Sequence, residues 1–318
     1  MIEKPLDVLE KYQVRKTKKQ KNSFLSAVEQ YTNRAGYTFC VEKGNFGSRN
    51  LVIGDVAKAK YLVTAHYDTC AWMPLPNFIT PCNFGVYLIY QILLTAVIFG
   101  IAIGLGVCIG LLADSANVAG VAGMILVYVM FGLLIVGPAN KHTANDNTSG
   151  VVTVLEIMAS MPDNLKDRVA FVLFDLEEAG MIGSSSYRAK HKKQRQQQII
   201  LNLDCVGDGD EIVFFPTGKL RKDKEKMAKL SAVNGKWGRK SIAVKEKGFA
   251  FYPSDQTQFP YGVGIAAFHR AKFLGLYCSR IHTHRDTVLE QTNVNLLRAA
   301  VISLISSDRQ DKLFRKEM

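Results

Sequence analysis

A chain of 318 residues with 48% hydrophobic content and a mean hydropathy of +0.04 has room for one large α/β domain or two small ones, and is unusually apolar for a soluble protein. Its net charge of +12 suits either nucleic acid or an anionic membrane surface. No aromatic-rich basic motif of the single-strand-binding kind accompanies that charge, which argues against nucleic acid as a partner.

Residues 1–36 alternate charges with Val8, Leu9, Tyr12, Phe24, Leu25, Val28 and Tyr31 at helical spacing, predicting one or two amphipathic helices laid on a sheet. The opening MIEKPLDVLEKYQ has no apolar core of the signal-peptide kind, so membrane insertion is expected to be directed from further along the chain. Three β-like runs follow, YTFCVEK, NLVIGD and KYLVTAHYD, separated by Gly- and Asn-containing turns. The last ends in His66 and Asp68, which as i and i+2 share one face of a strand. A lone His there is more often structural.

The loop 72–83, with Pro74, Pro76 and Pro81, interrupts regular structure and leads into a nearly unbroken apolar run, Val86 to Leu112. A second runs from Val118 to Val136 after the short break ADSAN. At 1.5 Å per residue the two reach roughly 40 Å and 28 Å, enough for a hydrocarbon core of about 30 Å. A transmembrane hairpin is predicted, with Trp72 and Tyr87 at the interface. The competing reading, two buried core helices, is disfavoured because too little other apolar surface remains to wrap helices that are hydrophobic all round. Two spans leave both flanks on one side. The Lys and Arg lie outside the hairpin and its tip carries only Asp114, so the positive-inside rule puts the hydrophilic part in the cytoplasm.

Beyond the second run, a helix is expected over Thr148 to Met161, with Asp146 just before it in the position of a common N-terminal cap. A strand, Arg168 to Asp175, ends in FVLFDLEEAG, where Asp175, Glu177 and Glu178 fall within four residues. Crowded carboxylates at a buried strand end need a cation or a shared proton, although acidic residues also suit a first helical turn. A helix to about Lys190 and a Gln-rich basic loop follow. Strands are predicted at Ile199 to Asp204, Glu211 to Phe215, Gly264 to Phe268 and Phe273 to Cys278, with helices at Lys219 to Val233 and Asn293 to Ser306. Strands alternating with helices argue for a mostly parallel sheet covered on both faces, with ligands beyond the C-terminal strand ends.

Three basic clusters, Arg15 to Lys21, Lys190 to Arg195 and Lys219 to Lys229, read as solvated faces or as contacts with lipid headgroups. The six cysteines, Cys40, Cys70, Cys82, Cys108, Cys205 and Cys278, show no CxxC spacing. They are expected to be free thiols in a reducing compartment.

His66, Asp146, Glu178, Asp204 and His282 each stand at a predicted strand end or loop. Two imidazoles and three carboxylates without thiolate suit two zinc ions sharing a bridging carboxylate, and such a pair lowers the pKa of a shared water. Glu177, beside one ligand, is placed to take the proton from that water. Cys70, Cys205 and Cys278 lie near these residues and read as small buried side chains rather than ligands.

The ordered blocks AHYDT, NDNTSG, DLEEAGMIGS, NLDCVG and HTHRDT, with the weaker SDQTQF, resemble the zinc-dependent aminopeptidases and related exopeptidases of peptidase family M28. The resemblance implies that Asp146 bridges both zincs, that His66 and Asp204 complete one site, and that Glu178 and His282 complete the other. It makes Glu177 the general base, puts Asp68 behind His66, prefers His282 to the rival His284, and implies a cis peptide between Asp146 and Asn147. The sequence departs from the family pattern in having Asn145 where an acid is usual, Leu176 where a small residue is usual, and two apolar runs inserted between the first two blocks.

The expected fold is therefore a three-layer αβα sandwich with a mostly parallel central mixed sheet and a two-helix transmembrane hairpin insertion. Residues 1–82 and 140–318 would form the catalytic domain and 83–139 the hairpin. The expected function is a membrane-anchored aminopeptidase with two Zn²⁺, for which Co²⁺ or Mn²⁺ could substitute. Its partners would be a peptide substrate and, through residues 86–136, the bilayer, but no nucleic acid. Alternatives are carboxypeptidase or glutaminyl cyclase-like chemistry on the same scaffold, or an inactive membrane scaffold.

Overall fold

A computed structural model of the chain describes residues 1–317, with side chains at all of these except 195 and 308–317. Helices α1 (Asp7–Lys11) and α2 (Lys18–Arg34) precede strands β1 (Phe39–Lys43), β2 (Arg49–Ile53) and β3 (Tyr61–His66). Helices α3 (Phe84–Leu112) and α4 (Ala116–Val136) come next, then α5 (Gly150–Ala159), β4 (Val169–Phe174), α6 (Ile182–Lys190), β5 (Ile199–Leu203) and β6 (Glu211–Pro216). The chain closes with α7 (Gly218–Lys222), α8 (Lys224–Ser231), β7 (Gly235–Trp237), β8 (Lys240–Val244), β9 (Gly262–Ala271), β10 (Gly275–Tyr277) and α9 (Gln291–Glu317).

The strands form one mixed sheet in the order β1-β2-β4-β3-β5-β9-β6-β8-β7, with β10 paired to β9. The central four, β4, β3, β5 and β9, run parallel, and the flanking β2 and β6 run antiparallel to them. Strands β3, β4 and β5 are buried along their whole length, as parallel strands covered on both faces must be. The alternation along β4 shows both faces. Phe171 and Leu173 pack with Phe24 and Val28 of α2, Val154 of α5 and Leu297 of α9, whereas Val172 and Phe174 pack with Tyr187 of α6 and Phe259. The result is an αβα sandwich.

Topology positions the site. Because β3 lies between β4 and β5, the residues leaving their C-terminal ends, His66, the Asp175 to Glu178 turn and Asp204, are brought side by side.

Helices α3 and α4 are long and apolar enough to cross a membrane and expose most of their surface, so they are not core helices of the sandwich. They pack tightly on each other through small residues. A Cβ on Gly106 would lie 2.7 Å from Cα of Gly123, and one on Gly110 2.4 Å from Cβ of Ala119. Such close backbone approach is the usual basis of helix pairing in lipid. Asn83 caps α3 by accepting from the N–H of Val86 at 3.2 Å, and Ser115 caps α4.

Several expectations need correction. The Lys-rich helix over 219–233 is two helices, because Asp223 leaves the helical backbone and caps α8, accepting from the N–H of Lys226 at 3.1 Å. Strands β7 and β8 are additional to those expected from the sequence. They form a hairpin whose turn contains Gly238 at φ 62°, a conformation that favours glycine, and their lysines disguise an edge of the sheet. The basic cluster Arg15 to Lys21 is not a wholly solvated face, since Arg15 and Lys21 are buried. Asp146 is no helix cap: α5 begins at Gly150, after a turn over Ala144–Ser149.

Candidate metal centre

The acidic stretch after β4 does not start a helix. Residues 175–181 form a turn in which Leu176 and Met181 have φ of 55° and 58°, and α6 begins only at Ile182. The turn separates the three carboxylates. Asp175 points into the protein, where it is ion-paired with the buried Lys21 and accepts from the N–H of Arg49 at 3.0 Å. Glu177 and Glu178 face the same pocket as His66, Asp146, Asp204 and His282.

Nε2 of His66 lies 3.3 Å from Asp146 Oδ1 and 3.7 Å from Asp204 Oδ1. Nε2 of His282 lies 3.0 Å from Asp146 Oδ2 and 3.4 Å from Glu178 Oε2. Asp146 thus sits between the two imidazoles, one oxygen toward each. Ligand-type atoms of His66, Asp146 and Asp204 all fall within 4.8 Å of one another, as do those of His66, Glu177 and Glu178, and of Cys70, Glu178 and His282. His284, the rival to His282, is exposed to solvent.

The surrounding shell holds these groups in place. Nδ1 of His66 is 3.1 Å from the main-chain oxygen of Asp68. A carbonyl accepts, so Nδ1 carries a proton and Nε2 is the nitrogen that faces the cluster. Asp286 accepts from the N–H of Asn145 at 2.7 Å and of Asp146 at 3.0 Å. Asn147 accepts from Gly150 and Cys205, and Tyr252 donates to the Asp204 carbonyl at 3.0 Å. The Asp146–Asn147 peptide is cis. Behind the cluster, Nη1 of Arg15 donates to Tyr12 O, Gln13 O and Thr148 Oγ1. Burial lowers the Arg15 pKa to about 10 despite the nearby Asp68 and Asp146.

The electrostatics describe a centre suited to a cation. Burial pushes Glu178 up to about 8 and Glu177 well above the usual carboxylate range. For His282, burial is outweighed by Glu178 and Asp146, which hold the imidazole at about 9. For His66, burial is likewise outweighed by Asp146, Asp204 and Asp68. Glu178 Oε1 is buried without a hydrogen-bond partner. An orphaned carboxylate oxygen among nitrogen and oxygen donors fits zinc or another divalent cation. Burial also raises the Cys70 thiol well above its ordinary range.

Sequence reasoning gives no role to Asp286, Arg15, Asn147 or Tyr252. Asp286 lies inside the HTHRDT block and is in that sense visible. Arg15 carries no local signal, because a lysine-rich neighbourhood reads as surface.

The chain is 24% identical over 201 residues to the aminopeptidase YwaD of Bacillus subtilis, a match covering 55% of this chain and 40% of that protein. The chain therefore spans less than half the length of this curated relative. Among solved structures, the LapA aminopeptidase of Legionella pneumophila superposes with a TM-score of 0.54 at 14% identity, over 95% of this chain and 69% of that one. A glutaminyl cyclase of Porphyromonas gingivalis gives 0.56 at 14% identity, over 96% and 97%. A Zn-dependent exopeptidase of Parabacteroides distasonis gives 0.53 at 13%, over 92% and 91%. At these identities the likeness is one of fold. Residues 127–304, more than half of the chain and including Asp146, Glu177, Glu178, Asp204 and His282, match the sequence model of peptidase family M28, and the chain belongs to that family.

Proposed function

We propose that this protein is a membrane-anchored zinc exopeptidase that removes N-terminal residues from peptides. The observation that carries the reading is the placement of Asp146 between His66 and His282, one carboxylate oxygen toward each imidazole, with Glu177 in the same pocket. In this reading Asp146 would be shared by two ions, with His66 and Asp204 holding one and Glu178 and His282 the other. Two zinc ions would polarise the scissile carbonyl and make a shared water easier to deprotonate.

The chain's own residues do the rest. Glu177 takes the proton from the attacking water and returns it to the leaving amine, work for which a raised carboxylate pKa is suited at neutral pH. Asp68 fixes the Glu177–Glu178 turn and the tautomer of His66 together. The pocket has a volume of about 250 Å³ and is lined by both the proposed ligands and apolar side chains such as Ile79, Phe251 and Ile281.

Helices α3 and α4 would anchor the protein through residues 86–136. By the positive-inside rule, the αβα sandwich lies on the cytoplasmic side. Carboxypeptidase action and glutaminyl cyclisation are other reactions this scaffold could serve, and a donor set sufficient for two ions favours hydrolysis. Mass spectrometry of products from free, N-acetylated and N-terminal Gln peptides separates them. The proposal predicts stepwise loss of N-terminal residues from free peptides only, and loss of C-terminal residues or of ammonia would refute it.

A further inference from the structure

The hairpin does more than emerge near the site, because its first helix forms part of the site's wall. Tyr87 and Gln91 of α3 line the same pocket as His66, Asp146 and Glu177. The packing of the hairpin shows how far these residues stand from the apolar core of the pair. Gly106 lies against Gly123, and Gly110 against Ala119. Thirteen residues on from Gly123 is Val136, the end of α4, and thirteen back from Gly106 is Leu93. The first nine residues of α3, about 13 Å of helix, therefore extend beyond the end of α4 toward the sandwich. Tyr87 and Gln91 lie on this extension. From residue 92 onward α3 carries no charge and only one hydroxyl side chain, Thr95, over roughly the 30 Å that a hydrocarbon core needs.

The sandwich surface beside this extension is aromatic. Phe84 is 5.5 Å from Phe249 and 6.4 Å from Phe251 between ring centroids, and Tyr87 is 5.6 Å from Phe251. Phe251 also lines the pocket. Phe273, 85% exposed, belongs to the same edge, since its carbonyl accepts from the Asn83 side chain at 3.4 Å. Lys247 and Lys272, both exposed, stand close in sequence to Phe249 and Phe273. Exposed aromatic rings beside lysines, continuous with a helix long and apolar enough to cross a membrane, suit the boundary between headgroups and acyl chains.

We propose that the pocket opens at the bilayer surface and that its substrates are polypeptides already anchored in the membrane, presenting a free N-terminus within a few residues of the lipid. This rests on the exopeptidase reading above and adds the class of substrate. The pocket's place at the interface would let a short N-terminal tail reach Glu177 without leaving the bilayer.

The test uses the zinc-loaded full-length protein in vesicles containing phosphatidylglycerol. Each vesicle carries a peptide with one apolar span and an unblocked N-terminus, set off by spacers of four, eight or twelve residues. At about 3.3 Å per extended residue these reach roughly 13, 26 and 40 Å. The proposal expects the four-residue spacer to be cleaved within about threefold of the twelve-residue one, since both span the distance. A second readout needs no activity: fluorescence added by Phe273→Trp should be quenched by lipids brominated close to the headgroup. Cleavage confined to the longest spacer, or added fluorescence that is not quenched, overturns the proposal. If quenching occurs but neither anchored nor soluble unblocked peptides are cleaved, the exopeptidase reading has failed, and the substrate assignment falls with it.

Discussion

The carboxylate of Asp68 accepts the main-chain N–H of Glu177 at 3.0 Å, while its second oxygen accepts that of Glu178 at 3.3 Å. Asp68 thereby ties the end of β3, which carries His66, to the acidic turn after β4. Asp68→Asn should present an amide donor where an N–H now finds an acceptor. Loss of zinc affinity or turnover by about 10- to 100-fold is expected, the usual effect of disturbing groups behind metal ligands. Chelator competition together with kcat measures it; unchanged values for both would remove Asp68 from the account.

Glu177 and Glu178 are neighbours with different proposed duties. Glu177→Gln should retain near-normal zinc content and lose about 10²- to 10⁴-fold in turnover, the usual share of a general base. Glu178→Gln should lose zinc instead. Metal analysis of both purified variants checks this, and equal metal loss in the two would refute the division of roles.

Metal binding should release protons. In the metal-free protein His282 sits at about 9 and Glu178 at about 8, so at pH 7 both carry protons that zinc must displace. The sign follows directly: apparent zinc affinity rises with pH from 6 to 9 and levels off once both groups titrate on their own. Calorimetry at pH 7 in buffers of different ionisation heat should show net proton release. Proton uptake, or an affinity that falls over this range, contradicts the assignment.

The hairpin seam is equally testable. A side chain at Gly106 would meet the backbone of Gly123, whereas one at Gly100 meets nothing within 4 Å. Gly106→Leu should destabilise the protein in detergent by about 1–3 kcal/mol, the typical range for overpacking. Gly100→Leu should leave thermal unfolding unchanged, and equal effects from the two would contradict the packing described.

Orientation can be read by labelling. With Ser115 at the turn between α3 and α4, a Ser115→Cys variant should react with an impermeant thiol reagent on intact cells, while a C-terminal reporter stays protected. The unmodified protein, with its own exposed Cys108, serves as the blank. The reverse pattern would place the sandwich outside.

What the sequence discloses follows from physics that acts locally. Buried parallel strands read as unbroken apolar runs, so β3, β4 and β5 and the residues at their ends are visible. Helices α3 and α4 are visible because each is a charge-free apolar run as long as a hydrocarbon core is thick. The misses arise where burial depends on distant partners. Lys21 is buried because Asp175 waits 154 residues away, and Arg15 because the carbonyls of Tyr12, Gln13 and Tyr67 surround its guanidinium. Neither partner is implied by the basic run itself. Strands β7 and β8 escape because an edge of a sheet needs little apolar content. The position of Asp146 between two imidazoles comes from the family resemblance, since on local grounds an Asp before a helix reads as a cap.

The most direct test of the central claim is a zinc titration of the metal-free, full-length protein, with release of N-terminal residues from an unblocked peptide followed at each addition. The account predicts binding that saturates at two ions per chain, activity that tracks occupancy and disappears on chelation, and no reaction with the N-acetylated peptide. Saturation at a single ion with full activity, or two bound ions with no release from any unblocked peptide, would contradict it.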